Sequence, residues 1–232
     1  MATTDALWCV VPAAGRGARV GGEVPKQYLP IAGKPMLLHT LERLAAHPRI
    51  AGLMVVLASD DSYWSSVPEL VGKPVLTVCG GAERADSVLA GLRALRARVD
   101  DGNLVLVHDA ARPCVRADDI SRLIEQGIPA GGALLAAPLR DTLKRADERN
   151  HAIATEPRDA RWRALTPQMF RLGELVAAIE AARAVDIVVT DEAMAMELAG
   201  HKPLLVEGSE DNIKVTTPAD FALAEFLLSR ID

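Results

Sequence analysis

The sequence predicts one α/β domain, a Rossmann-like, mainly parallel sheet with helices on both faces, from which an extended β-hairpin arm departs at residues 139–166. Three observations predict it. Apolar runs of strand length alternate with helix-length amphipathic segments. The runs are apolar at consecutive positions, as in strands covered on both faces. Hydrophobic residues make up 50% of the chain but aromatic ones only 3%, an aliphatic, Ala-rich composition suited to helices packed on a parallel sheet. At 232 residues the chain is long enough for one large domain, 1–232, with an excursion.

The elements follow in order. Leu7 to Val11 reads as the first buried strand, followed by a Gly-rich loop. Met36 to Ala46 places Leu37, Leu38, Leu41 and Leu44 on one helical face, and Leu53 to Leu57 is a second strand. Ser59 to Ser62 reads as a short polar helix or turn. Val75 to Cys79 is a third strand ending in Gly80-Gly81, and Arg84 to Ala97 is a helix with Val88, Leu89, Leu92 and Leu95 inward. Leu104 to Val107 is a fourth strand ending in His108-Asp109; Asp118 to Gln126 is helical, and Ala133 to Pro138 is a fifth apolar run.

The rhythm breaks at about Leu139 to Thr166. That segment is charged and has little to bury, so its extended pieces, Asp141 to Arg145 and His151 to Glu156, read as the two sides of an arm. Helices resume at Leu172 to Arg183 and Thr190 to Ala199, the latter stopped by Gly200. Pro203 to Val206 and Asn212 to Val215 read as short strands. Thr217-Pro218 opens the last helix, with Thr as cap and Pro in the first turn.

The net charge of −5 argues against general nucleic-acid binding. Cys9, Cys79 and Cys114 form no C-x-x-C pair and read as buried thiols of a reducing compartment. The first apolar run stops near Ala14 and follows no basic segment, so neither a signal peptide nor a membrane span is expected, and a cytoplasmic location is.

Ligands of open α/β sheets bind beyond the carboxyl ends of the strands. The first strand delivers PAAGRGARVGGEVPK, Pro12 to Lys26, where Gly exposes main-chain N–H groups and Arg16, Arg19 and Lys26 supply positive charge. This is a candidate polyphosphate cradle. It is not a P-loop, because G-x-x-x-x-G-K-[ST] is absent, and not a dinucleotide fingerprint, because Val20 stands at the third Gly position. The third strand delivers Gly80 to Ser87, where Gly80-Gly81 lets a base or ribose lie against the main chain. The fourth delivers Asp109-Ala-Ala-Arg112-Pro113. A carboxylate at Asp109 suits a magnesium ion or a turn cap, and Arg112 suits a phosphate or Asp109 itself. His108 reads as a structural histidine at a strand end.

The string A-A-G-x-G-x-R, five residues, then Pro25-Lys26, resembles the signature loop of sugar-phosphate nucleotidylyltransferases, although Val20 replaces the Met that many members carry. In order along the chain follow GGAERADSV, VHDAARPC, RDTLKR, ALTPQ, VTDEA and EGSEDNIKVT. The ordered set closely resembles the 2-C-methyl-D-erythritol 4-phosphate cytidylyltransferases of the non-mevalonate isoprenoid pathway. The resemblance implies attack of a polyol phosphate on the α-phosphorus of CTP, with magnesium as cofactor held near Asp109. It implies Arg19, Lys26, Arg158 and Lys214 as catalytic residues. Pro12, Ala13, Ala14, Gly15, Gly81, Asp86 and Ser87 would bind the nucleotide. Asp109, Arg112, Thr142, Arg158, Thr190 and Lys214 would bind the polyol phosphate. It also implies a homodimer in which the arm completes the partner's site. The alternatives are a cytidylyltransferase for another polyol phosphate, such as ribitol 5-phosphate, and a non-catalytic nucleotide-binding domain. The pairing of Arg19 with Lys26 speaks against the latter, and the missing third Gly against a dehydrogenase.

Overall fold

The computed structural model describes residues 6–15 and 24–230. The chain opens with β1 (Leu7–Pro12). A 3-10 turn (Lys26–Tyr28) and a small antiparallel pair, β2 (Pro30–Ile31) and β3 (Lys34–Pro35), lead into α1 (Met36–Ala46). Next come β4 (Ile50–Leu57), the short β5 (Glu69–Leu70), β6 (Lys73–Cys79) and α2 (Arg84–Leu95). They are followed by β7 (Leu104–Val107), α3 (Ala117–Ala130) and β8 (Gly132–Pro138). The arm contributes β9 (Leu143–Ala146) and β10 (Ala152–Glu156). The chain then returns as β11 (Trp162–Arg171), α4 (Leu172–Ala184), α5 (Glu192–Leu198), β12 (Leu204–Glu207) and α6 (Pro218–Leu228). None of the described helices is long and apolar enough to cross a membrane.

The main sheet has eight strands in the order β12-β8-β11-β7-β1-β4-β6-β5. β1 runs parallel to both β4 and β7, and β4 to β6. The strand order reverses beside β1, so a crevice opens there at the carboxyl ends of β1 and β7. Successive strand residues serve opposite faces. Cys9 and Val11 join Leu37, Leu41, Ile120 and Leu123 under α1 and α3. Val10 joins Val88, Leu92, Leu175 and Val176 under α2 and α4. Each such fully buried aliphatic side chain contributes about 1.5–3 kcal/mol relative to exposure, which is why the strands have no polar alternation.

Several sequence expectations are corrected. The sheet is mainly parallel as expected, but β11, whose first residues were read as part of the arm, is a sheet strand antiparallel to β7 and β8. Its first residues, Trp162 and Arg163, are exposed, and its register shifts between Ala164 and Gln168, around Pro167. A charged start and an internal Pro both read as non-strand. Asn212 to Val215 forms no strand: Val215 N–H donates to the Ala111 carbonyl (2.9 Å), and the segment otherwise crosses the domain as a strap held by side chains. Cys79 is exposed, whereas Cys9 and Cys114 are buried. The apolar run of β6 has only one buried position, Val75, because it lies next to the edge strand β5.

The arm is a hairpin, β9 pairing antiparallel with β10. Its turn is built by Asp147, whose Oδ1 accepts from the N–H groups of Arg149 and His151 at 2.9 Å each. The two strands are largely exposed. At the far end of the chain, Thr217 and Asp220 form a reciprocal capping box and Pro218 opens α6, as the sequence indicates.

Candidate active site

β1 ends at Pro12, and Ala13 still donates to the Val56 carbonyl (2.8 Å), so the start of the Gly-rich loop is held in strand geometry. Buried Gln27 donates to the Ala13 carbonyl (2.7 Å) from the other side. Tyr28 anchors the same turn by donating its hydroxyl to Asp61 (2.7 Å). Between these two anchors Lys26 reaches inward and donates to the Val215 carbonyl (2.8 Å). Arg16 and Arg19 lie outside the described residues.

On the far wall Gly80 is required by close approach. A Cβ there would meet Ser87 Oγ at 2.6 Å, Ala14 Cβ at 2.8 Å and Val56 Cγ1 at 3.1 Å. Gly81 is similarly tight against Asp86, at 2.4 Å. Ser87 is buried, and its hydroxyl lies 3.3 Å from the Gly81 N–H. Pro12, Ala13, Ala14, Gly15, Lys26, Gly81, Ser87, Asp109 and Lys214 thus line one cavity of about 400 Å³. Asp86 does not line it. Its carboxylate accepts from Glu83 N–H in the capping box of α2 and pairs with Arg183 (3.3 Å).

A second cavity, about 210 Å³, adjoins the first: Arg84, Asp109 and Lys214 line both. Arg112, Thr166, Gln168, Thr190 and Asp191 are among its other lining residues. Asp109 is the hub. Arg84 contacts Oδ1 (Nε at 3.1 Å), while Lys214 (2.8 Å) and Arg112 (3.5 Å) approach Oδ2. Burial alone would raise the Asp109 carboxyl, but Arg84, Lys214 and Arg112 overcome it and hold the group well below the usual carboxylate range.

Beneath the hub a buried network fixes the turn after β7. Asp109 N–H donates to Thr166 Oγ1 (3.0 Å). The Thr166 hydroxyl proton is then free for His108 Nδ1 (3.0 Å), which leaves Nε2–H to donate to the Arg112 carbonyl (3.1 Å). This is the arrangement of a neutral imidazole. Burial agrees, lowering the His108 pKa to about 4. Asn212 donates to the Thr166 carbonyl (2.7 Å), and Arg112 donates to the Asn212 carbonyl (2.6 Å).

Thr142 and Arg158 line neither cavity. Arg158 donates to the Arg140 carbonyl within the exposed arm. The sequence reading assigned no role to Arg84, Gln27, Thr166 or Asn212. Three of them lie inside the quoted motifs and Gln27 directly follows Lys26, but nothing in a sequence distinguishes a residue that holds the site from one that contacts a ligand. Among the described residues, no group of three or more His, Cys, Asp and Glu could hold a metal ion.

Comparison with known proteins places this geometry. The family model described as 2-C-methyl-D-erythritol 4-phosphate cytidylyltransferase matches residues 7–230. Curated relatives bearing that same description include one from Stenotrophomonas maltophilia (strain R551-3), 58% identical over 226 residues and covering 97% of each chain. Another, from Xanthomonas campestris pv. campestris (strain 8004), is 55% identical over 231 residues, 99% of this chain and 87% of the relative. Among solved structures, the cytidylyltransferase of Francisella tularensis superposes with a TM-score of 0.82 at 33% identity, covering 96% of this chain and 99% of its own. That of Thermus thermophilus gives 0.78 at 32% identity, covering 97% and 100%.

Proposed function

The chain belongs to the 2-C-methyl-D-erythritol 4-phosphate cytidylyltransferase family, and from that premise we propose how its paired cavities move a cytidylyl group from CTP to the polyol phosphate. The observation that carries the proposal is the shared wall. A cavity lined by main chain and Lys26 meets a smaller cationic one at Asp109, Arg84 and Lys214. Two phosphate-bearing substrates seated there would have their reacting groups side by side.

The larger cavity takes CTP, with its phosphates against Ala13 to Gly15 and Lys26 and its base toward Gly81 and Ser87. The smaller takes the polyol phosphate, with Lys214 and Arg112 on its phosphate and Thr190 on its rim. The nucleophile is a phosphate oxygen, already largely dianionic at neutral pH because its second pKa is about 6. It therefore needs no general base, in keeping with the neutral, fully hydrogen-bonded His108 and with Asp109, whose oxygens are already paired. The substrate oxygen bonds to the α-phosphorus as the bond to the β-phosphate bridging oxygen breaks, and pyrophosphate leaves. Lys26, with Arg19 from the adjacent loop, neutralises charge gathering on the α-phosphate and the leaving group. Holding both partners in line supplies the rest of the rate enhancement.

Magnesium belongs to the proposal as a partner of CTP. Asp109 is the one lining carboxylate common to both cavities, and both its oxygens already accept from cations. The ion would therefore draw most of its shell from phosphate oxygens, as magnesium does in such sites, and would supply charge neutralisation at the triphosphate.

The exposed arm, with Thr142 and Arg158 away from both cavities of their own chain, supports a homodimer in which each arm serves the other subunit. Mixed dimers test it. A subunit carrying Lys26→Ala paired with one carrying Arg158→Ala should recover toward half of wild-type activity, since one site then carries both defects and the other neither. No recovery in a verified heterodimer would show that the arm serves its own chain. A cytoplasmic location is part of the same reading. The reaction itself is tested by pyrophosphate release with CTP and 2-C-methyl-D-erythritol 4-phosphate, against ribitol 5-phosphate as the competing acceptor. Faster release with ribitol 5-phosphate would reassign the acceptor.

A further inference from the structure

Glu192 is buried at 2% exposure, yet it lines neither cavity. Both of its oxygens accept from Arg84, from Nη1 at 2.7 Å and Nη2 at 3.2 Å. A guanidinium is a rigid planar fork. With Nη1 and Nη2 fixed on Glu192, the remaining edge of Arg84 is aimed, and it meets Asp109 Oδ1 through Nε at 3.1 Å and Nη2 at 3.0 Å. Asp109 is thereby turned so that Oδ2 is the oxygen offered to Lys214 and Arg112.

An ordinary helix anchor would explain a buried Glu in the first turn of α5, but that turn is already held without Arg84. Asp191 caps it by accepting from Met194 N–H (2.9 Å). Gln168 grips it twice, donating to Asp191 (3.0 Å) and accepting from Ala193 N–H (2.7 Å). The position of Glu192 is set by these bonds, so its carboxylate is a fixed point against which Arg84 is placed. Arg84 itself is tuned by the same contacts: burial pulls its pKa down, and Glu192 and Asp109 more than restore it.

We infer that Glu192 is a positioning residue of the polyol-phosphate site: by anchoring Arg84 it sets the orientation of Asp109, and through it the placement of the Lys214 and Arg112 clamp. The inference rests on the functional reading above, and its test is separable from it. Wild-type turnover of the polyol phosphate with CTP tests that reading; the variants test this one.

Glu192→Gln keeps the shape and one acceptor oxygen but removes the charge. KM for the polyol phosphate should rise on the order of tenfold, the usual effect of losing an outer partner that orients a ligand-binding group, while KM for CTP changes by less than about threefold. The second variant replaces the whole pair, Arg84→Met with Glu192→Met, because exchanging both partners of a buried ion pair for apolar residues is often tolerated where breaking it is not. It should fold with a Tm near that of wild type and still show the raised KM for the polyol phosphate. A double variant that folds and binds the polyol phosphate normally would overturn the inference, since the pair would then be a packing element. Equal rises in both KM values in Glu192→Gln would overturn it as well. So would failure of both variants to fold, which would make the pair a requirement of stability alone.

Discussion

Gly80→Ala puts a methyl group at the point where the nucleotide loop, β4 and α2 meet. Its Cβ would lie 2.6 Å from Ser87 Oγ, 2.8 Å from Ala14 Cβ and 3.1 Å from Val56 Cγ1. The Ser87 hydroxyl can rotate away. Ala14 Cβ cannot, because it is fixed to the main chain, and Val56 is held in the sheet. The loop must therefore be lifted from the far wall by several tenths of an ångström. Overpacking of this kind costs about 1–3 kcal/mol, or roughly 2–12 °C in Tm for a chain of this size. If about 1 kcal/mol of that strain opposes closure of the cradle on CTP, KM for CTP rises roughly fivefold. Gly15→Ala is the control for stability, since a Cβ there meets nothing within 4 Å among the described residues. Calorimetry and steady-state kinetics read both effects. A Gly80→Ala protein with a Tm within a degree of wild type and an unchanged KM for CTP would refute the close-approach argument.

Lys26→Ala should lower kcat by roughly a hundredfold, as loss of one electrostatic donor in the transition state does; a change confined to KM for CTP would make Lys26 a binding residue only. CTP should be strongly preferred over UTP, because a site that accepts from the cytosine amino group leaves buried acceptors unpaired against uracil; equal kcat/KM values would remove base selectivity from the wall at Gly81 and Ser87. His108 stays neutral in the fold down to about pH 4, whereas an unfolded histidine protonates near 6.5. The unfolded chain thus binds more protons in that window, so stability of the ligand-free protein should fall as pH drops through it, by up to about 3 kcal/mol. Urea midpoints between pH 4 and 7 should show a shallower slope for His108→Gln than for wild type; parallel slopes would contradict the buried neutral imidazole.

The central strands and the main helices were legible because continuous apolar runs and amphipathic periods report burial directly, and the hairpin arm because its charged segment has little to bury. Leu104–Val107 and Met36–Ala46 match their apolar patterns at both ends. β11 was not legible. Its strand character comes from neighbours on both sides, β7 and β8, while its own sequence holds a Pro and two arginines. The strap at Asn212 to Val215 misled for the opposite reason: alternating polar and apolar residues look like a strand, but here they send Asn212 to Thr166, Lys214 to Asp109 and Val215 into the core. In the site, Lys214 was reached only through the family resemblance, while Lys26 and Arg112 could be picked out as cations able to meet phosphate and Asp109 as a carboxylate at a strand end. Gln27, Thr166 and Glu192 could not, because their work is defined only by partners distant in sequence.

The charges on the shared wall argue for a particular course of binding and release. Arg84, Arg112 and Lys214 face Asp109 and Glu192. A wall of cations alone would repel itself in a partly buried space, and the interleaved carboxylates remove that penalty. On the proposed assignment, an entering phosphate dianion would let Lys214 and Arg112 exchange one anionic partner for another, leaving little reorganisation for the transition state. Bond formation then changes the charge at that phosphate. A monoester dianion becomes one half of a pyrophosphate diester, which carries about one charge per phosphorus at neutral pH because it has lost the oxygen that titrates near 6. The clamp's hold on the product would be weaker than its hold on the substrate by that charge, while the pull of Asp109 on Lys214 would be unchanged. On that proposal transfer itself would tip the cations back toward Asp109, so the carboxylate that orders the clamp would also favour release.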